Sequence, residues 1–366
     1  MLTLDDEERA FSDSVERYLD QRYDLRAREA IIAAGPYSPE HWRRFAELGW
    51  VAAVFDEDRS GFGNAAHHVG VLMERFGQRL VIEPLLTSAI VCGRILSMID
   101  GRADLIDQLI GGTLHLALVE SGDWPDRGAA VAQGRWTGEH LTVSGRSEVV
   151  LNGAAAEQLI VAATVDDDFA LLLIPATRAG VTVAPMRGHD GHNLADISFD
   201  DVAVSQADVL ASGKKAADAF DLALDWGTAA LCAEAIGSMD TLLERTRAYL
   251  KTRVQYGHAL ADFQALQHRL ADMFIQLETA RSIAGGALDV LDGPAPRRRR
   301  LVSAAKISVF RAANFVGKQA VQLHGGMGVS EELDVAHHFK RLTMGGLQFG
   351  YERQHLSRFI DSGAAD

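Results

Sequence analysis

Apolar residues in the first 110 positions recur at helical spacing. Ser38 followed by Pro39 predicts a helix start, because serine caps free N–H groups and proline fits the first helical position. Trp42 and Phe45 follow three residues apart, as on one face of a helix. Residues 1–110 are therefore expected to form an N-terminal all-α domain.

The pattern changes between residues 111 and 212, where short apolar runs alternate with turns. Val181-Thr182-Val183 alternates apolar and polar residues, as half-buried strands do, and Asn152-Gly153 is a typical turn pair. The runs of strand length are 114–119, 141–143, 149–151, 159–163, 169–174 and 181–184. These residues predict a small all-β middle domain.

Helical spacing returns in residues 213–366. Its clearest sign is an apolar stripe with steps of three or four, formed by Leu266, Leu270, Met273, Leu277, Ala280, Ala284, Leu288 and Leu291. Four long helices packed together would bury such a stripe. The predicted fold class is thus α+β, in the order helical domain, β domain and helical bundle.

Composition excludes several classes of partner. The chain has 366 residues and a formal net charge of −14, so a broad basic face for nucleic acid is not expected. Its one basic run, Arg297–Arg300, is interpreted as the exposed start of a helix. No apolar run reaches the roughly 18–20 residues that would span a membrane. The acidic first residues do not resemble a secretory signal.

The cysteines and histidines give no indication of a metal site. Cys92 and Cys232 lie in apolar surroundings and are expected to be buried, reduced thiols, which favours a cytoplasmic location. His189 and His192 belong to a turn and lack the spacing of metal ligands. His337-His338 is predicted to lie on a solvated surface.

Two segments carry most of the chemical information. In the first, Arg253 offers a planar fork of donors for a phosphate, Gly257 allows a tight turn, and Gln264 opens a helix whose free N–H groups favour an anion. An ordinary corner between helices is the alternative. In the second, Gln322–Gly328, three glycines in four positions end a helix. This segment does not fit the dinucleotide fingerprint, because it follows a helix rather than a strand.

Together these segments resemble the acyl-CoA dehydrogenase family, and the resemblance extends over essentially the whole chain. Met73–Gly77, Ser198–Val204 and Ala304–Lys306 add to it. The resemblance implies a helical domain, a β-barrel-like middle domain and a four-helix bundle, assembled into dimers or tetramers. It also implies FAD and the oxidation of an acyl-CoA between its α and β carbons. In that reaction a carboxylate takes the α-proton and flavin N5 takes the β-hydride.

The chain departs from the family where the family places its catalytic base. One position of the base corresponds to Phe349 and the other to Gly227, and neither residue can accept a proton. Glu352 is a replacement if the stretch from Phe349 is helical, because it would then lie one turn away. Asp225 would lie about 200° around a helix from Gly227 and so points elsewhere.

The contacts to the flavin ring also differ from those of the family. Val149-Val150-Leu151 stands where the family usually has Trp-Ile-Thr, so the aromatic face and the hydroxyl are missing. Ala117–Ser121 resembles the other ring-binding loop without its following Gly-Ser pair. Thr228 stands in the place of a common arginine.

What is retained corresponds to family segments that bind the ADP half of FAD across the dimer interface. The implied cofactor contacts are Arg253, Gln255, Tyr256, Gly257, Gln264, Gln322, Gly325 and Gly326. With no catalytic residue of its own, the chain is predicted to be the non-catalytic subunit of a heterotetramer that shares FAD with a catalytic partner. Such pairs are typical of actinobacterial steroid side-chain oxidation. Two alternatives are a self-sufficient homo-oligomeric dehydrogenase and a flavin-free scaffold or acyl-CoA-binding protein.

Overall fold

The computed structural model describes residues 5–59, 61–121 and 130–363. The chain divides into two compact units. One comprises Met1–Arg28, Gly70–Val81 and Thr228–Asp366, and the other comprises Glu29–Val69 and Ile82–Gly227. The division into domains 1–110, 111–212 and 213–366 stays a prediction.

The first part of the chain is helical, as predicted. Its elements are α1 (Asp6–Arg22), α2 (Leu25–Ala34), α3 (Pro39–Glu47), α4 (Ala65–Arg79), a π-helical segment (Leu85–Cys92), α5 (Gly93–Ser97) and α6 (Ala103–Ile110). The start of α3 confirms its sequence signal, because the Ser38 hydroxyl accepts a hydrogen bond from the His41 N–H at 3.2 Å. Trp42 and Phe45 on this helix are buried.

The middle of the chain forms a single sheet. Its strands are β1 (Leu116–Val119), β2 (Ala132–Thr137), β3 (His140–Leu151), β4 (Gln158–Val165), β5 (Asp168–Pro175), β6 (Val181–Arg187), β7 (Asn193–Val204) and β8 (Val209–Ser212). Their order is β6-β7-β3-β2-β4-β5-β8, with β1 parallel to β4. No pairing among the described strands joins β6 to β8, so the sheet is open and is not a closed barrel.

Two details of the sheet differ from the prediction. The separate runs 141–143 and 149–151 belong to the one strand β3, which bulges between Val143 and Gly145 and again between Ser147 and Val150. The strands β2 and β8 were not predicted. In β2, the exposed polar residues Gln133, Arg135 and Thr137 alternate with Ala132, Gly134 and Trp136, so the strand lacks an apolar run.

The last part of the chain is helical and confirms the α+β class. It contains α7 (Gly213–Thr252), the short strands β9 (Val254–Gln255) and β10 (His258–Ala259), α8 (Gln264–Leu288), α9 (Ala295–His324), α10 (Asp334–Leu347) and α11 (Glu352–Gly363). α9 packs against α8, α10 and α11. The predicted apolar stripe of α8 is buried from Met273 onward, whereas Leu266 and Leu270 are half-buried.

Two glycines allow α4 and α7 to cross with their backbones in contact. A Cβ atom at Gly77 would lie 1.9 Å from the Glu234 carbonyl oxygen, and one at Gly237 would lie 1.8 Å from that of Glu74. Beside this crossing, the Arg281 guanidinium bonds the carboxylates of Glu74 and Asp240. The crossing therefore depends on the absence of side chains at both glycines.

We expect Gly77→Ala and Gly237→Ala each to lower the free energy of unfolding by roughly 1–3 kcal/mol, because the helices must move apart. Gly286→Ala in α8 is the matched control, since a Cβ there meets no atom within 4 Å. The control should be neutral or stabilising by up to about 1 kcal/mol. Urea unfolding of the three variants measures this. Equal stability of all three would contradict the close crossing.

Two surface predictions are corrected by the structure. His338 is buried, because it shares the inner face of α10 with Val335 and Leu342, and its Nδ1 lies 2.7 Å from the Ser238 hydroxyl of α7. The basic run does begin a helix, but Arg298 within it is buried and donates to the Gly293 carbonyl at 3.2 Å.

The expected state of the two cysteines is confirmed. Cys92 and Cys232 are buried free thiols. In the ranges that the structure describes, no helix is long and apolar enough to cross a membrane.

His338 makes the stability dependent on pH. Burial, followed by the charges of Arg28 and Arg245, lowers the pKa of its imidazole to about 3. Below the ordinary pKa of about 6.5, the unfolded chain therefore binds a proton that the folded chain does not bind. Between pH 6.5 and 3, each unit by which the pH falls should therefore lower the free energy of unfolding by about 1.4 kcal/mol through His338.

The comparison of wild type with His338→Gln over that pH range isolates this contribution. The variant should lose less stability than wild type on acidification. The exposed His258 provides the control, and His258→Gln should follow wild type. Parallel pH profiles for wild type and His338→Gln would contradict the shifted pKa.

Candidate cofactor-binding site

The segment after α7 forms an exposed hairpin. β9 and β10 pair antiparallel, with Gln255 opposite His258. Tyr256 and Gly257 make the turn with φ angles of 53° and 81°, the left-handed geometry of a two-residue hairpin turn. The tight turn predicted at Gly257 is therefore present. The Tyr256 side chain is 88% exposed, so it contributes little to the packing of its own chain.

Two polar side chains flank this hairpin. Arg253 is fixed through its backbone, since its N–H donates to Tyr249 at 2.9 Å and its carbonyl accepts from Leu260 at 2.8 Å. Its guanidinium is exposed and has no hydrogen-bond or ion-pair partner among the described residues. Gln264 is the first residue of α8, and no side chain caps this helix start. The N–H groups there are open to an anion.

The glycines after α9 have three different roles. Gly325 caps the helix with φ 60° and ψ −141°, a conformation that glycine adopts at low cost. A Cβ at Gly328 would lie 2.6 Å from the Val321 carbonyl oxygen, so this glycine permits close packing. A Cβ at Gly325 or Gly326 would meet no atom within 4 Å, which leaves this surface open. Gln322, at the end of α9, is also exposed.

A contact between two aromatic rings, which no sequence pattern indicated, brings the two segments together. The rings of Tyr249 and His324 stack with centroids 4.4 Å apart and planes inclined by 26°. His324 Nδ1 donates to the Ala320 carbonyl at 2.8 Å, which keeps the ring over the last turn of α9. Tyr249 lies one helical turn before Arg253, and His324 immediately precedes Gly325. The predicted cofactor contacts therefore converge at one end of the C-terminal helices.

Phe349, at the position where the sequence resemblance predicts the catalytic base, lies in a corner between α10 and α11. Phe349 and Gly350 both have positive φ angles, of 52° and 99°. Lys306 Nζ donates to the Gly345 and Gln348 carbonyls at 2.6 and 2.7 Å. The His355 Nε2–H donates to the Phe349 carbonyl at 2.9 Å. The corner is thus firmly held, but Phe349 itself offers no proton acceptor.

Burial makes the Lys306 ammonium more acidic than an exposed lysine. Burial lowers its pKa to about 7; Cys232 opposes this shift and Arg341 adds to it. Lys306 also lies 3.9 Å from the centroid of the Phe310 ring, a cation–π distance.

The two candidate replacement bases, Glu352 and Asp225, lie in different helices. Glu352 begins α11, and because the left-handed corner separates it from α10, it does not share a helix with Phe349. Its exposed carboxylate accepts two hydrogen bonds from Arg311. The Asp225 side chain is completely buried within α7.

Val149-Val150-Leu151, where the sequence resemblance predicts the flavin-ring contacts, lies at an irregular end of β3. Val149 sits on the second bulge of β3 with φ 59°, a strained conformation for a β-branched residue, and it is 51% exposed. Its N–H donates to Asp196 at 3.1 Å. No aromatic face or hydroxyl is supplied by Val149, Val150 or Leu151. Residues 122–129, which follow the other expected ring loop, lie outside the described part of the chain.

Comparison with known proteins identifies the family. Residues 5–98 match the N-terminal domain of acyl-CoA dehydrogenases, and residues 218–352 match the C-terminal domain. The chain belongs to the acyl-CoA dehydrogenase family. It is 28% identical to acyl-CoA dehydrogenase IpdE2 of Mycolicibacterium smegmatis over 90% of both chains. It is 25% identical to the probable acyl-CoA dehydrogenase YngJ of Bacillus subtilis, covering 84% of this chain and 85% of that one.

Solved acyl-CoA dehydrogenases share this fold. One chain of the ChsE4-ChsE5 complex from Mycobacterium tuberculosis superposes on this chain with a TM-score of 0.89 at 21% identity. The match covers 100% of this chain and 99% of that chain. A variant of the Tcur3481-Tcur3483 steroid acyl-CoA dehydrogenase gives 0.88 at 24% identity, covering 98% and 99%. Butyryl-CoA dehydrogenase of Megasphaera elsdenii gives 0.87 at 22% identity over the full length of both chains.

FAD is the cofactor of acyl-CoA dehydrogenases, and this chain fits one half of it. The open surface at Gly325 and Gly326, the uncapped start of α8 and the unpaired Arg253 guanidinium suit a diphosphate and its adenosine. The side chains at the Val149 bulge offer no aromatic face or hydroxyl to an isoalloxazine ring.

The different roles of Gly326 and Gly328 can be measured. Gly328→Ala should lower the free energy of unfolding by roughly 1–3 kcal/mol, because its methyl group meets the Val321 carbonyl. Gly326→Ala should stay within about 0.5 kcal/mol of wild type, since its methyl group faces open space. Denaturant unfolding of both variants provides the test. The reverse order of stabilities would contradict the assigned roles.

Proposed function

We propose that this chain is the non-catalytic subunit of a heteromeric, FAD-dependent acyl-CoA dehydrogenase. The complex removes hydrogen from the α and β carbons of an acyl-CoA. This subunit contributes structure and binds the ADP end of a FAD whose ring is held by the catalytic partner. The observation that carries the proposal is the contrast between an open ADP-binding surface around Arg253 and a phenylalanine at the position of the base.

The bound flavin supplies the hydride acceptor, and the residues of this chain bind and orient its far end. The Arg253 guanidinium can donate two parallel hydrogen bonds to a phosphate oxygen pair. The free N–H groups at Gln264 add positive potential at the start of α8. The Gln322 and Gln255 amides are exposed beside the same surface, and Gly325 and Gly326 allow a flat group to approach the backbone.

Proton removal is assigned to the partner. A phenyl ring cannot replace a carboxylate at Phe349. The exposed carboxylate of Glu352 is paired with Arg311 at the surface, at the start of α11. The corner that Lys306 and His355 hold therefore supports the shape of this region and not its chemistry.

Apolar side chains around the ADP-binding surface favour a protein partner there. Val254, Tyr256, Met327 and Val329 are 59%, 88%, 45% and 67% exposed. Exposed apolar groups that cluster and are ringed by polar residues mark contact surfaces. The ChsE4-ChsE5 and Tcur3481-Tcur3483 structures are of two-component assemblies, and the second is a steroid enzyme. By analogy we propose a heterotetramer acting on a bulky steroid-type acyl-CoA, and the buried thiols suit a cytoplasmic location.

The proposal predicts that Arg253 controls flavin affinity of the complex. The chain would be co-expressed with a candidate catalytic acyl-CoA dehydrogenase subunit, and flavin retention would be followed by absorbance during dilution. Arg253→Ala should weaken FAD binding by about 10- to 100-fold, because a charge-assisted phosphate contact of roughly 1.5–3 kcal/mol is lost. Arg247→Ala, which removes an exposed arginine paired with Glu244, is the control and should retain flavin.

Two results would contradict the proposal. Unchanged flavin affinity in Arg253→Ala would show that the ADP end lies elsewhere. Loss of acyl-CoA turnover in Glu352→Gln, with the complex intact, would assign the base to this chain.

A further inference from the structure

A cavity lies among the C-terminal helices, apart from the surface around Arg253. It is about 430 Å³ in volume and is bounded by α9, α10 and the start of α11. Ile307, Phe310, Phe339 and Leu342 give it an apolar and partly aromatic floor. This volume is within the range of about 300–1,000 Å³ typical of small-ligand sites. None of the predicted cofactor contacts lines it.

Charge around this cavity is positive. Arg311 and Arg353 line it with two guanidinium groups and Glu352 with one carboxylate, beside the buried amine of Lys306. Lys306 is occupied by two backbone carbonyls and Arg311 by Glu352. Arg353 differs, because it is exposed at the mouth and has no hydrogen-bond or ion-pair partner in the described part of the chain. The lining thus combines an apolar floor with an available guanidinium.

We propose that this cavity binds a small amphipathic anion. Its apolar body lies on the floor formed by Phe310, Phe339 and Leu342, and its carboxylate or phosphate reaches the Arg353 guanidinium. The aromatic rings suit a chain or flat ring, since both bury apolar surface against them. Arg353 supplies a fork that fits either a carboxylate or a phosphate.

Gly346 allows the cavity to be filled without disturbing the helix. It lines the cavity from α10, and a Cβ there would lie 3.6 Å from Phe310 Cδ1, an ordinary contact distance. Gly346→Leu should therefore place its side chain in the cavity while improving the helix propensity of α10. Gly286→Leu on the open surface of α8 is the matched control.

The test is calorimetric titration of the purified chain with decanoate. Wild type and Gly286→Leu should bind with one site per chain, and Gly346→Leu should bind at least about tenfold more weakly, because its side chain occupies the site. Thermal unfolding of Gly346→Leu shows whether its fold is retained. Wild-type binding by a folded Gly346→Leu, or no binding to wild type at millimolar decanoate, would overturn the proposal.

The anionic end is tested separately. Arg353→Gln should weaken decanoate by about three- to tenfold while binding of the uncharged decanol is unchanged. Arg247→Gln is the charge control. Comparison with decyl phosphate decides which head group is preferred. Equal losses for decanoate and decanol in Arg353→Gln would overturn the role of the guanidinium.

A second copy of the chain is the competing occupant of this surface, because Leu356 and Ile360 on α11 are 38% and 66% exposed. Sedimentation of wild type and Gly346→Leu separates the two cases. Self-association that Gly346→Leu abolishes, without decanoate binding to wild type, would replace the ligand site with a subunit contact.

Discussion

The stacked rings of Tyr249 and His324 determine where the candidate cofactor site lies. Tyr249 lies in the last turn of α7 and His324 is the last residue of α9. Their contact therefore places the Arg253 hairpin beside the Gly325 cap. A pair of this geometry contributes roughly 0.5–1.5 kcal/mol beyond the area that it buries. The bond from His324 to Ala320 fixes the ring further. The Tyr249 hydroxyl also lies 3.5 Å from the His324 carbonyl, which adds a polar contact between the same two residues.

The same C-terminal helices hold a corner between α10 and α11 in which Phe349 offers no proton acceptor. Lys306 and His355 bind the three carbonyls of Gly345, Gln348 and Phe349, so the backbone path is maintained although the side chain at its apex is apolar. The proposed ADP-binding surface does not depend on the residue at position 349, because different contacts position the two regions. The Tyr249 contact belongs to one, and the Lys306 contacts belong to the other.

Sequence predicted the elements whose signals are local. The capped start of α3, the turn at Gly257 and the apolar stripe of α8 follow from residues within one or two turns of each other. Features that depend on distant partners were missed or wrong. His338 is buried because Ser238, 100 residues away, faces it, and β2 is a strand because β3 and β4 supply its hydrogen bonds. The bulges that join two predicted runs into β3 likewise depend on β7.

The candidate site was predictable as residue types, through resemblance to the family, but its assembly was not. Arg253, Gln264 and Gly325 could be singled out from the chain, whereas Tyr249 and His324 had no signal before the fold joined them. Glu352 would lie one helical turn from Phe349 only if that stretch were helical, and two left-handed residues, Phe349 and Gly350, interrupt the helix there.

The FAD content of the chain, purified alone and with its catalytic partner, tests the central claim most directly. A chain that binds only the ADP end should hold far less than one FAD by itself and show no acyl-CoA turnover. The heteromer should hold one FAD for each pair of subunits. One FAD per chain with turnover in the absence of a partner would contradict the assignment of a non-catalytic subunit.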